Sequence, residues 1–439
     1  MHAVNRFQSL VRARARAIAA ICLGAAAALA SPAHAATQAE LEAKVQALAD
    51  QLQVVQRELL EMKRTQAATA AAAPVAPVSA APSAIAPAEE PRLSWFGYGE
   101  LNYSRPGGAS ADTSFDVARY VLGAGYRFDA KTRFVSELEV EHTVASASDA
   151  GEVEVEQAYI ERQLGDGIYA KGGLFLIPAG LLNESHEPTF YYGVFRNFVE
   201  TAIIPTTWRE AGVSVQGKTT GGLRWDVGLT TNINLSGWDF SGESEGQESP
   251  LGSVHQEGQL AAAKDLGGYG ALNYSGIPGL TFGGSYFTGD AGQGQAGFEG
   301  AKMSLWDVHA RWSPGDFQLS GLYARGHFDG TKAINLVNVG NPVLIPEGFF
   351  GWYIEGAYRA AAGDAWSLSP FLRYETFNTG SSYANIGVGL TPDALDDQKV
   401  WTGGLNFVLT QGVVLKADYL KFQNDSQPKR FDLGIGYQF

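Results

Sequence analysis

Residues 223–235 read LRWDVGLTTNINL. Leu223, Trp225, Val227, Leu229, Thr231, Ile233 and Leu235 share one face at a period of two. Arg224, Asp226, Gly228, Thr230, Asn232 and Asn234 share the other. That period belongs to a strand, because successive Cβ atoms point to opposite faces of a sheet. The final residues repeat it. Phe431, Leu433, Ile435, Tyr437 and Phe439 alternate with Arg430, Asp432, Gly434, Gly436 and Gln438. A soluble sandwich alternates in the same way, so the connections must decide between a sandwich and a barrel.

The texture extends outward over 92–439 and predicts strands near 94–104, 115–128, 132–144, 152–163, 168–176, 208–218, 223–235, 268–275, 280–288, 301–313, 316–327, 349–360, 365–378, 397–410, 413–424 and 430–439, sixteen in all. Links after even-numbered strands are tight, as at Asp129-Ala130-Lys131, Pro314-Gly315 and Gln411-Gly412. Links after odd-numbered strands are mostly long, including 177–207, 236–267, 328–348 and 379–396. Sorting of short and long links to opposite rims marks an all-β, 16-stranded antiparallel transmembrane barrel, and strands of this length suit a tilted crossing. The aromatics Trp95, Tyr103, Trp208, Trp306, Trp312, Trp352, Trp366 and Trp401 are expected at membrane interfaces.

Ahead of the barrel, Arg6, Arg12, Arg14 and Arg16 precede an apolar run at 17–30 and an Ala33-His34-Ala35 cleavage site, so 1–35 reads as a secretory signal. The single cysteine, Cys22, lies inside it and follows Ile21 rather than the small residue a lipoprotein site needs. Without the signal the chain loses four of its 32 basic residues and none of its 46 acidic ones, so the net charge moves from −14 to −18. That balance argues against nucleic acid as a partner.

Residues 36–65 follow. Leu41, Val45, Leu48, Leu52, Val55, Leu59 and Met62 alternate spacings of four and three, the seam of a periplasmic coiled coil. Residues 66–91 are rich in Ala and Pro and read as a linker.

Wall side chains cannot fill a barrel of this size, so a segment must narrow it. The link 177–207 follows the fifth strand and mixes Phe190, Tyr191, Tyr192, Phe195 and Phe198 with Glu184, His186, Glu187, Arg196 and Glu200. It is the predicted lumen loop, and those five polar residues are its constriction candidates. Charge facing lipid is costly, so the phase of each strand sends Arg119, Lys171, Arg224, Arg311, Arg373 and Lys416 inward as candidate pore-lining, solute-binding residues. As many acidic as basic side chains share the inward face, which predicts modest charge selectivity and no dedicated phosphate site.

The segment from His186-Glu187-Pro188 through Phe190-Tyr191-Tyr192-Gly193 and Arg196-Asn197-Phe198-Val199-Glu200-Thr201 to Ile203-Ile204-Pro205-Thr206-Thr207-Trp208-Arg209-Glu210 resembles the phosphate-selective porin O and P family. Weaker likeness runs from Phe96-Gly97-Tyr98-Gly99-Glu100 to the C-terminus. The resemblance implies a homotrimer in outer-membrane lipid that passes small hydrophilic solutes and ions, with anions such as phosphate suggested by the family's name. Three-fold symmetry would bring the 36–65 helices together as a parallel three-stranded coil. The same seam supports an alternative in which the helix tethers the outer membrane to peptidoglycan.

Catalysis finds no pattern. HExxH, GxSxG, P-loop and dinucleotide fingerprints do not occur, and no cofactor or metal motif is present. Asp307 and His309 share a strand face and could imitate part of a triad, but no serine is assigned to them.

Overall fold

The computed structural model describes residues 92–439 apart from 109–111, 147–150, 243–247 and 425–426. The predicted signal, coiled coil and linker lie outside the described residues.

The sixteen strands are β1 Leu93–Pro106, β2 Ser114–Arg127, β3 Thr132–Glu141, β4 Val153–Gly165, β5 Ile168–Leu176, β6 Arg209–Lys218, β7 Leu223–Thr230, β8 Gly267–Ile277, β9 Leu280–Asp290, β10 Lys302–Trp312, β11 Phe317–Asp329, β12 Gly348–Tyr358, β13 Ser367–Ser382, β14 Gln398–Thr410, β15 Val413–Phe422 and β16 Arg430–Gln438. The pair Ala361–Ala362 continues β12 past a break and bonds to Leu368 and Ser367. Every neighbour is antiparallel, and β1 pairs with both β2 and β16, from Tyr98 opposite Gln438 to Pro106 opposite Arg430. The sheet is therefore a closed barrel, which leaves no edge strand with unpaired backbone groups.

The alternation sorts side chains as a membrane barrel requires. Val227, Leu229, Leu272, Val308, Ile354, Leu372, Leu405 and Leu433 are exposed on the outside, whereas Asp226, Asp307, Glu355, Arg373 and Asp432 are buried inside. Outward aromatics meet across strands edge-on or tilted, with Trp352, Tyr374 and Trp401 in sequence at 5.5 and 4.7 Å between ring centres. Tight links gather at one rim. There the Lys131 N–H bonds to Asp129 Oδ1 at 2.7 Å and holds that exposed carboxyl below its usual range.

Three features differ from the sequence reading. The strand expected over 223–235 ends at Thr230. From there the chain turns away from the sheet. Asn232 Nδ2 donates to Asp290 O at 2.7 Å, Leu235 N donates to Ala291 O at 2.9 Å, and Ile233 and Leu235 are fully buried. Period two persists there because any extended segment alternates, whether or not it pairs.

Trp208, assigned to an interface girdle, is instead fully buried, 4.7 Å from the Phe287 ring. Its indole N–H donates to Glu210 inside the barrel. In β4 a bulge sets Glu137 opposite Gln157 and Leu138 opposite Val155, leaving Glu156 over. The bulge shifts the phase, so Glu156 and Glu161 are both buried inside, although neither stood among the inward residues read from sequence.

Interior space that the wall cannot fill is taken by two loops. Ile177, Val199, Ile203 and Ile204 from 177–208, and Ile233, Leu235, Trp238 and Leu251 from 231–266, pack with Phe287, Phe328, Phe349, Tyr353 and Phe377 of the wall. This apolar plug lies against β5 and against β8 to β15.

Candidate functional site

The loop 177–208 crosses the lumen and is held on several sides by the inward face of the wall. On β1 and β2, Tyr191 Oη donates to Glu100 at 2.7 Å and Arg119 Nη2 donates to His186 O at 2.6 Å. Farther round the sheet past β16, Val194 N donates to Asp418 of β15 at 2.7 Å and Phe198 N to Glu375 of β13 at 2.6 Å. Asn406 of β14 donates to Tyr192 O at 3.2 Å, and Thr189 Oγ1 donates to Gln438 of β16 at 2.6 Å. Carboxylates that accept from backbone N–H groups in a low-dielectric site make strong, directional anchors.

Glu200 organises the loop internally. It lies in one wide turn of π-helix, Val199–Ile203. Its carboxylate accepts from Leu181 N at 2.6 Å, Leu182 N at 2.7 Å, Asn197 Nδ2 at 2.9 Å and Tyr353 Oη of β12 at 3.0 Å. Two wall glycines give the loop room. A Cβ on Gly436 would meet Pro188 Cβ at 2.5 Å, and one on Gly351 would lie 3.1 Å from side-chain carbons of Val199 and Ile203.

Four of the six wall cations singled out from sequence are buried in pairings. Arg119 bonds Glu100 at 2.8 Å. Lys171 pairs with Asp226 at 3.2 Å and stands 5.0 Å above the Phe175 ring. Arg373 is shared by Glu375 at 3.0 Å and Glu355 at 3.2 Å. The Lys416 ammonium sits 3.6 Å over the Tyr191 ring, and burial pushes the Tyr191 phenol above its usual pKa.

The other two face water-accessible space. Arg311 lines a cavity of about 400 Å³ with Tyr191, Tyr192, Arg359, Ser369 and Asn406. Arg224 pairs with Glu184 at 2.8 Å and lines a cavity of about 620 Å³ at the tight-turn rim, where Arg127, Lys131, Arg133 and Lys218 face Asp129 and Glu161.

Of the remaining loop candidates, His186 is buried, Glu187 accepts from Gln438 Nε2 at 3.4 Å, and Arg196 donates to Thr207 Oγ1 at 3.2 Å. Arg196 borders a third cavity of about 330 Å³ with Glu141, Phe195, Arg430 and Asp432. Tyr191 lines both this cavity and the 400 Å³ one.

Sequence reasoning gave no role to Glu375 and Asp418 beyond an inward phase, and missed Glu156. The inward glycines of β16 were the available signal, since small residues on a wet face make room for something packed against it.

Asp307 and His309 do meet, at 2.5 Å, but in an order unlike a triad. Ser285 donates to Asp307, not to the imidazole, and His309 Nε2 is held by Asn273 Oδ1 at 2.8 Å. The ring nitrogen a nucleophile would need is thus engaged elsewhere.

A closed 16-stranded antiparallel barrel with a loop laid across its lumen is the architecture of bacterial outer-membrane porins. Among solved structures, OmpF of Salmonella typhi in complex with daunomycin superposes with a TM-score of 0.55 at 13% identity, over 79% of this chain and 97% of that one. A loop L8 deletion mutant of OmpT, an outer membrane protein of Vibrio cholerae, gives 0.51 at 11% identity, over 79% and 99%. The likeness is one of fold. An uncharacterized protein of Aquifex aeolicus (strain VF5) is 27% identical over 334 residues, 74% of each chain. No family model matches the chain.

Proposed function

We propose that this chain is an outer-membrane porin, a homotrimer through which small hydrophilic solutes and ions diffuse passively. The observation that carries the reading is the loop 177–208 laid inside a closed barrel, with two separate cavities that Tyr191 of the loop helps to line. A barrel that served only as an anchor would gain nothing from interior cavities lined by charged side chains. Purified, folded protein in planar bilayers should give stepwise conductance, and folded protein that inserts without conducting would overturn the reading.

Tyr191 then sets the narrow point. Tyr191→Ala removes a ring from a residue that lines both cavities and should raise single-channel conductance about two-fold. An unchanged conductance would place the constriction elsewhere.

The resemblance to the phosphate-selective porin O and P family extends this reading toward anions. The tight-turn mouth supports it in part, with five basic and two acidic side chains around the 620 Å³ cavity. The buried wall cations do not, since Arg119, Lys171 and Arg373 each face a carboxylate. Selectivity is therefore modest, and phosphate at micromolar concentration leaves chloride current unblocked. The tether reading rests on the 36–65 seam alone, and binding of the full chain to purified peptidoglycan would test it.

A further inference from the structure

Behind the lumen loop, where its first half meets the wall, Tyr98 of β1, Glu137 and Glu139 of β3, Glu156 of β4 and His186 come together. Glu156 is 0% exposed, Glu139 2%, His186 3% and Glu137 8%. Three carboxylates in so small a buried volume need compensating positive charge. The nearby cation is Arg119, which bonds Glu100 through Nε and the His186 carbonyl through Nη2 and has no hydrogen-bond partner at Nη1.

The hydrogen bonds around the imidazole define what is missing. His186 Nδ1 lies 2.9 Å from Asn183 O. A carbonyl oxygen only accepts, so Nδ1 carries the hydrogen, and the second ring nitrogen, Nε2, is the one that can hold either a proton or a metal ion. Nε2 stands 2.6 Å from Tyr98 Oη and 3.5 Å from Glu156 Oε1. The phenol has one hydrogen, and Glu156 Oε2 is 2.8 Å away to accept it. Nε2 and Glu156 Oε1 therefore face the same point, which a proton on the ring or a metal ion can occupy. Among the described residues, Glu156 Oε1 and Glu139 Oε1 receive no hydrogen bond. Glu137 joins with its second oxygen oriented by Gln157 Nε2 at 2.7 Å. One ligand atom each from Glu137, Glu156 and His186 lie within 4.8 Å of one another.

We propose that Glu137, Glu156 and His186 bind a divalent transition-metal cation of the zinc class. An imidazole and two carboxylates are a competent donor set for such an ion. A ring whose other N–H is tied to a backbone carbonyl is the arrangement that orients a metal-binding histidine. The β4 bulge makes the site, because it turns Glu156 inward beside Glu137 instead of leaving it in regular pairing. Two ligands belong to the wall and one to the loop, so the cation fastens the start of the loop to β3 and β4. Glu139 lies beside the ligands, and Tyr98 holds Glu156 in place.

The test uses the full chain, refolded in detergent after chelator treatment and loaded with Co²⁺. About one Co²⁺ per chain should survive gel filtration, with visible ligand-field absorption that Zn²⁺ abolishes. His186→Ala and Glu156→Gln should each weaken Co²⁺ binding about tenfold or more, and His142→Ala, at an exposed histidine paired with Asp116, should not. Heat-shifted gel mobility confirms that each variant has folded, and Glu137→Gln replaces any that has not. Folded wild-type protein that retains no Co²⁺, with the carboxylates held by shared protons instead, would overturn the proposal. Binding that survives the ligand substitutions would overturn it equally, by placing the metal elsewhere.

Discussion

Glu200→Ala should unseat the lumen loop and produce the largest functional change of any single substitution in it. The carboxylate takes four donors, from Leu181 N, Leu182 N, Asn197 Nδ2 and Tyr353 Oη. Alanine leaves all four in a buried place with no acceptor and no room for bulk water. Hydrogen bonds to a charged group contribute about 1.5–3 kcal/mol each and do not add in full, so the expected loss is about 3 kcal/mol or more. The loop also carries part of the interior apolar cluster through Val199 and Ile203, so its release loosens that packing. Single-channel conductance should rise and become noisy, and the temperature of gel-mobility conversion should fall. Tyr353→Phe removes one donor and leaves three, so it should show a small fraction of the effect. Conductance and conversion temperature equal to wild type in Glu200→Ala would show that the loop is held by its wall contacts alone.

Val308→Arg should prevent stable insertion. Val308 lies mid-strand in β10, exposed on the outer face, between Gly284 and Tyr323 of the neighbouring strands. Its chain neighbours Asp307 and His309 are buried on the inner face. Arginine near the bilayer midplane costs about 2–4 kcal/mol, whereas a surface substitution in water usually stays within about 0.5 kcal/mol. The measurement is the urea midpoint of folding into lipid vesicles. Val227→Arg on β7 and Leu372→Arg on β13 repeat the test on other arcs of the barrel, which separates a lipid-facing wall from a contact between subunits. If all three tolerate arginine, the outer face does not meet hydrocarbon and the membrane reading fails.

Much of the candidate site's location was legible before the structure, and little of its chemistry was. The length and position of 177–207, with aromatics among its charges, marked it as the segment to narrow the lumen. The roles of its residues were not legible. Arg373 and Lys171 looked like free wall cations because phase alone says which way a side chain points, not what waits there. Arg373 meets a carboxylate on its own strand, and Lys171 meets one two strands away, on β7. Glu200 looked like one acid among several, yet its four donors come from three separate stretches of chain.

What the sequence by itself determined is the barrel: sixteen strands, the tight and long rims, and the inward and outward face of most residues. Those properties are local. A period of two and a turn signal are written in consecutive residues, and hydrocarbon outside with water inside imposes the same pattern on every strand. Only the tertiary structure decided where that pattern stops meaning a paired strand, as after Thr230, and where a bulge reverses it, as at Glu156. It alone brought Val194 to Asp418, 224 positions away, and His186 to Tyr98 across 88. Such meetings depend on the closure and register of the whole sheet and on the space left inside it, and no short stretch of sequence carries either.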